Sequence, residues 1–266
     1  MEISTNQEEI IEQAVVGEIS APQVQKGREW RLGADGVPRS LPGVGGITYN
    51  FKVGDSALNW AADHVEPGVS MRADDGGANR ALNLLACVGN SAQVVSGDAK
   101  GDYGIVTGKH GGIDHVLVDF PDETLEKLVI GDKIQIKARG LGFEQLEFED
   151  IDLMNIDPEL FGEMDLQEDE DRLCIPVTHK IPAAMMGSGI GHSHALSGDY
   201  DLQVSDNEAF KKVGLENLRI GDMVAIVDQD HTYGRSYKKG AISIGLIVHS
   251  CCVQAGHGPG ITTLFT

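Results

Sequence analysis

Five of the nine histidines sit in polar or glycine-containing stretches from which a ring could be displayed. His110 stands in GKHGG (residues 108–112), and His192 and His194 in GHSHALSGDYD (191–201). His231 stands in DQDH (228–231) and His257 in GHGP (256–259). Imidazoles with carboxylates nearby are the usual ligand set for zinc, iron or nickel. In a strand, the spacing of His192 and His194 puts both rings on one face, because side chains alternate with a period of two. A single cation can use such a pair, and two aspartates, Asp199 and Asp201, follow a few positions later. The plainer alternative is that each histidine is merely exposed or hydrogen-bonded in a loop.

A second polar cluster runs from Asp228 to Lys239, with Asp230, His231, Tyr233, Arg235, Tyr237 and Lys238 between them. An Asp–His pair with a nearby arginine suits general acid–base work or the holding of a carboxylate substrate. A solvated hairpin loop is the alternative. Other stretches carry less. GSGIG (187–191) lacks the strand–helix–strand unit that a dinucleotide fingerprint requires, so no nucleotide cofactor is expected, and the run reads as mobile backbone beside His192. GHGPG (256–260) can aim backbone N–H groups at an anion or simply turn the chain. Ser193, Ser197 and Ser250 lack a nucleophile elbow. Cys251 and Cys252 are adjacent, no C-x-x-C spacing occurs, and both read as buried structural thiols.

Composition narrows the partners. Forty-one acidic and 21 basic side chains give a formal charge of −20, which repels nucleic acid and anionic membrane surfaces. No stretch approaches the roughly 18 apolar residues of a membrane span, and the acidic N-terminus is unlike a signal peptide. A reducing cytoplasm is the expected location. A small-molecule ligand and a homo-oligomer both remain compatible with the chain.

The elements that must position these residues read as short strands. Glycine, at 34 of 266 residues, is nearly twice its average of roughly 7%, a mark of many tight turns. The clearest signal is an internal echo. LVIGDKIQI (128–136) recurs as LRIGDMVAI (218–226), each copy following a short helical stub at 121–127 or 206–213. The second stub carries Ser205 and Glu208 at capping-box spacing. FKVGDSA (51–57) is a weaker copy. Residues 7–14 predict a short helical turn, 14–20 a strand and 26–46 an extended loop, whereas 78–95 fit a buried helix or strand equally. Residues 144–171 hold thirteen Asp or Glu and no Lys, Arg or His, yet contain enough apolar residues to pack against something. Further on, 223–228, 241–249 and 261–265 read as strands, with a loop over 228–240. The expected fold is mainly β (α+β), with barrel-like domains, long Gly-rich loops and a few short helices. Residues 1–140 would form an N-terminal domain, 141–171 an acidic excursion and 172–266 a C-terminal β domain.

Several stretches together resemble a prokaryotic family defined only as domain of unknown function 4438. They are GIVTGKHGGIDHV (104–116), the 191–201 loop, GRSYKKGAISIG (234–245) and AGHGPGITTL (255–264). The resemblance spans most of the chain and implies a β-rich fold without an assigned activity. A fainter one is to acetamidase/formamidase-type amide hydrolases, carried in order by HGG (110–112), IGD (130–132) and HALSGD (194–199). It implies metal-site or catalytic roles for His110, His194 and Asp199, with a metal-activated water attacking a small amide. The functional expectation is therefore a metal-dependent hydrolase of a small polar molecule. His110, His192, His194 and Asp199 would be ligands of a divalent, zinc-like transition metal, and Asp230, His231 and Arg235 would handle substrate. The rival is a non-catalytic ligand-binding or assembly protein.

Overall fold

The computed structural model describes residues 3–24, 29–170 and 172–266. Lys26, Gly27 and Arg28 of the expected loop, and Asp171 at the end of the acidic tract, lie outside them.

Six antiparallel strands form a closed barrel: β1 (Gln13–Ile19), β2 (Gly68–Arg72), β3 (Ser91–Val94), β4 (Tyr103–His110), β5 (His115–Asp119) and β6 (Lys133–Ala138). The spatial order is β1-β6-β3-β4-β5-β2, and β2 returns to β1 through Glu18↔Arg72 and Ile19↔Met71. Closure leaves no free edge among these six strands. Inward positions alternate along them, so that Ile134, Ile136 and Ala138 of β6 are buried with Val116 and Val118 of β5. Helix α1 (Gly76–Leu85) packs on β1 with Leu82 buried. Gly17 makes that possible, because a Cβ there would lie 2.9 Å from Met71 Cε and 3.0 Å from Leu82 Cδ2. Residues 78–95 therefore contain both alternatives, a helix and then a strand. Gly89, at φ +97°, breaks them apart.

The C-terminal strands form an open, half-barrel sheet: β7 (His179–Pro182), β8 (Met186–Ile190), β9 (Tyr200–Leu202), β10 (Met223–Asp230), β11 (Ser236–Ile247) and β12 (Gly260–Phe265). Their order is β7-β10-β11-β12-β9-β8, with only β7 and β10 parallel. The run 187–191, expected to be mobile, is mostly strand β8. Its glycines serve close approach, since Gly187 backs onto the Gly256 carbonyl and Gly189 onto the Asp201 carboxylate. The loop expected over 228–240 shrinks to five residues. A bulge at Asp228 (φ +59°), whose carboxylate accepts from Gly240 N at 2.7 Å, lets β10 and β11 stay paired to Asp230↔Ser236.

The echo is structural. In each copy the Gly-Asp aspartate accepts from the backbone N–H three residues back. The pairs are Lys52 N to Asp55 at 2.9 Å, Val129 N to Asp132 at 3.0 Å and Arg219 N to Asp222 at 2.8 Å. Gly54, Gly131 and Gly221 all have φ near +90°, the left-handed region where glycine carries no Cβ penalty. The stubs are helices α2 (Asp122–Leu125) and α4 (Asn207–Lys212). Asp206 rather than Ser205 caps α4, accepting from Ala209 N.

The acidic tract straps the barrel to the sheet. Asp157 caps helix α3 (Pro158–Glu163), and Ile156 and Phe161 share one core with Val88 from the barrel side and Ala225, Ile244, Leu264 and Phe265 from the sheet. Where barrel and sheet meet directly, Lys109 N donates to Thr262 Oγ1, which donates back to the Lys109 carbonyl. This junction is where most histidines converge.

Candidate metal centre

Three chain segments are pinned together at the junction. The end of β4 and the start of β5 set His110 opposite His115 across the ladder. The loop before β2 pairs with the segment after β11, through His64 N to the Cys251 carbonyl (3.2 Å), Val65 N to Ser250 Oγ (2.8 Å) and Ser250 N to the Val65 carbonyl (3.0 Å). That pairing brings His64 against His249, with ring centroids 5.2 Å apart. The third segment is the extended chain entering β9. Its period of two directs Asp199 and Asp201 to the histidines, and sends Tyr200 to the opposite face, where it packs edge-on against His231 at 4.8 Å.

Glu66, buried, ties the barrel side together. Its carboxylate accepts from Gly45 N at 2.7 Å and from Ser70 Oγ, and holds His110 Nδ1 at 2.6 Å and His115 Nδ1 at 3.0 Å. Burial opposes ionisation of Glu66, but its contacts with His110 and His115 outweigh it and hold the carboxyl well below the usual range. With Nδ1 committed to Glu66, His110 has Nε2 left for a ligand. Burial first, and then the neighbouring His249, push His110 below its ordinary pKa, which favours the neutral, ligating imidazole.

His249 is held the same way. Its Nδ1 lies 2.9 Å from the Ser250 carbonyl, an acceptor only, so the proton sits on Nδ1. Its Nε2 lies 2.7 Å from Asp199 Oδ2, whose other oxygen accepts from Gly111 N at 2.8 Å. A ring already protonated at Nδ1 can meet a carboxylate at Nε2 only through a second proton or a cation. Burial works against that proton, while Asp199 raises the His249 pKa. The rings of His110 and His249 stack at 4.2 Å, a spacing at which two imidazolium charges would repel strongly.

Among the described residues, three sets of side chains offer ligand atoms within 4.8 Å of one another: His110 with Asp199 and His249, His64 with Asp201 and His257, and Asp63 with His64 and Cys252. The residues fit a divalent cation. Nitrogen and oxygen donors from three directions meet in a buried space, and the rings of His110, His249 and His64 are each oriented by a partner at Nδ1.

Of the residues singled out from sequence, His110 and Asp199 stand together in the first set, and His257 in the second. His192 and His194 neighbour each other, with ring centroids 4.6 Å apart, but belong to none of the three sets. Residues 192–194 are not in a strand, so the period-two argument does not apply to them. His192 lines a separate cleft with Asp230 and Arg235. There Asp230 pairs with Lys238 Nζ at 2.8 Å, and Arg235 donates to the Gly187 carbonyl. His231, fully buried, contacts Thr263 Oγ1 through Nδ1 at 2.8 Å. His64, Glu66, His115 and His249 were missed, and Asp201 was noted beside Asp199 but given no ligand role. The usable signals were the Asp-x-Asp spacing at 199 and 201 and the Asp-His-x-Glu run at 63–66.

The model of the N-terminal part of the domain of unknown function DUF4438 matches residues 30–162, and that of its C-terminal part matches 163–266. The chain belongs to the DUF4438 family. The crystal structure of TM1086 is similar to this DUF4438 chain, with 49% identity and a TM-score of 0.95 over 100% of this chain and 92% of that one. No curated protein matches it. Neither matching model is one of acetamidases or formamidases. Among the described residues of this DUF4438 protein, no helix is long and apolar enough to cross a membrane.

Proposed function

We propose that this DUF4438 protein is a divalent-metal-dependent hydrolase acting on a small polar, amide-like molecule. The observation that carries the reading is the His110–Asp199–His249 set, with ligand atoms within 4.8 Å of one another and both rings pre-oriented. Three protein donors leave coordination positions for water and substrate, the pattern of catalytic rather than structural sites. A zinc-like ion bound there would supply Lewis acidity and an activated water. Glu66 orients His110, and the Gly111 N–H orients Asp199.

Size and access argue for a small substrate. His64, His110 and His249 are buried, whereas the His257 side chain keeps 28% of its surface exposed. A cleft of about 550 Å³ reaches Cys252 beside His64, lined among others by Asp35, Arg39 and Trp60. The amide class is supported by the HGG and HALSGD stretches, which meet at the Gly111 N to Asp199 Oδ1 bond. Asp230, His231 and Arg235 lie across β9 and are not asked to touch the reacting atoms in this reading.

Elemental analysis of untagged protein tests the first half. About one or more equivalents of transition metal are expected, and less than about a tenth of an equivalent, with none taken up on dialysis against zinc, would sink it. Ammonia release from formamide and acetamide tests the second half. Release should vanish on chelation and return with zinc, whereas bound metal without turnover of either amide would favour the ligand-binding alternative.

A further inference from the structure

We infer that the centre is dinuclear: His110, His249 and Asp199 hold one divalent cation, His64 and His257 hold a second, and the Asp201 carboxylate bridges the two. This rests on the metal reading above and goes beyond it in stoichiometry and in the class of chemistry.

The first support is how Asp201 divides its oxygens. Oδ2 lies 3.0 Å from His257 Nδ1 and 3.4 Å from His64 Nε2, while Oδ1 lies 3.7 Å from His249 Nε2. One carboxylate thus addresses both sets of imidazoles with different oxygens, the arrangement a bridging ligand requires. The sets are contiguous, with the His64 ring centroid 5.2 Å from that of His249, 5.7 Å from His110 and 5.4 Å from His257.

The second support is that the two sets are built alike. Glu66 backs His110 at Nδ1, leaving Nε2 toward Asp199 and His249. Asp63 backs His64 at Nδ1 (3.3 Å), leaving Nε2 toward Asp201. Asp63 is itself fixed by Arg31 Nε at 2.6 Å and Cys252 Sγ at 2.8 Å. His64 also adopts φ +57°, a left-handed conformation rare for a residue with a Cβ, and the pairing of its loop with 250–251 holds it there. Such strain is retained where surrounding structure fixes a side chain for a purpose.

The third support is charge. Among the described residues, four buried carboxylates meet at the junction, namely Asp63, Glu66, Asp199 and Asp201. The permanently charged cation touching any of them is Arg31, on Asp63. With neutral imidazoles, three negative charges remain. One divalent cation leaves a net negative charge in a buried space, whereas two, sharing a hydroxide, balance it. Paired cations of this kind clamp the attacking and leaving oxygens of a displacement, which suits hydrolysis of a polarised carbonyl or phosphoryl group.

The test is metal stoichiometry on the full-length untagged chain, stripped, reloaded with zinc alone, passed over a chelating resin and measured by elemental analysis. Wild type should retain two equivalents. His257→Ala, and independently His257→Gln, should each retain one, with circular dichroism unchanged. His257 is partly exposed and outside the cores, so these variants are expected to fold. A wild-type value of one overturns the dinuclear proposal and leaves the mononuclear reading standing. A value of two that neither His257 variant lowers also overturns it, because the second ion is then bound elsewhere. A value below about a tenth removes both readings together.

Discussion

The two faces of strand β9 carry similar residues and differ in chemistry. On one face Asp199 and Asp201 meet His64, His249 and His257, with His110 close behind. On the other, Tyr200 meets His231, with Arg235 beyond it and the His192–His194 pair beside the same cleft. The first face has carboxylates within reach of its imidazoles, and these raise the pKa of His249 and lift His64 well above its ordinary value despite burial. On the second face burial is opposed weakly, so His194 is lowered and His231 falls to about 4. His192 Nδ1, His194 Nδ1, His231 Nε2 and Tyr200 Oη find no hydrogen-bond partner among the described residues. A buried imidazole alone prefers to be neutral, whereas at His64 and His249 the neighbouring buried carboxylates tip the balance towards a positive charge, which a metal can supply in place of a proton. The carboxylates, more than the histidines, mark where a cation belongs.

The largest expected effect comes from cutting into the first face. Asp199→Ala removes a ligand and leaves His249 facing an uncompensated space, so metal affinity should fall at least about 100-fold. Binding that strong in the wild type also stabilises the fold. At 1,000 times the dissociation constant the gain is roughly 4 kcal/mol, so a chelator should lower the wild-type melting temperature by on the order of 10 °C. At 100-fold weaker binding the same metal concentration stabilises by only about 1.4 kcal/mol, so in Asp199→Ala the chelator-dependent shift should shrink to about a third of the wild-type shift or less. A wild type indifferent to chelation would erase the distinction between the two faces.

Of this contrast, the sequence disclosed the scaffold better than the centre. The L-x-I-G-D echo is local, since its aspartate caps a turn three residues away, and it marks β6 and β10 correctly. The closed barrel and the half-barrel follow from strand pairings with the expected β character. The centre is a non-local object. Asp201 and His64 are 137 residues apart, and Gly111 and Asp199 are 88 apart. No spacing rule links residues brought together by the register of barrel against sheet. His249 read as the end of an apolar strand, and His64 was not singled out. The period-two argument, applied to His192 and His194, describes Asp199 and Asp201 instead, because only that stretch is extended chain entering a strand.

A middle-sized effect sharpens the second face through pH. Burial first, and then the nearby Arg235, depress His231 to about 4 in the folded protein. The unfolded chain, with an ordinary value near 6.5, therefore takes up the proton first as pH falls. Stability is complete above about pH 6.5 and is lost progressively towards pH 4. At pH 5 the loss from this one group is about 2 kcal/mol. His231→Gln should remove that share, so the difference in unfolding free energy between pH 7.5 and pH 5 should be about 2 kcal/mol smaller in the variant than in wild type. Equal pH dependence would mean that His231 is charged in the folded state, and the two faces would then not differ as described.

The smallest effect is the most discriminating. Tyr200 is 1% exposed and its hydroxyl makes no well-formed hydrogen bond among the described residues, the Arg235 backbone N–H giving at most a weak one, so its ring packs while its oxygen is desolvated with little return. Removing an unsatisfied buried hydroxyl relieves a desolvation cost instead of breaking a bond. Tyr200→Phe should accordingly leave stability unchanged or raise it by up to about 1 kcal/mol, measured by urea unfolding. Metal content should stay at its wild-type value, because the side chain points away from Asp199 and Asp201. A loss of more than about 2 kcal/mol would show that the hydroxyl is bonded in solution. The second face would then be a polar site with an occupant of its own, and its lack of a carboxylate in contact with an imidazole would no longer separate it from the first.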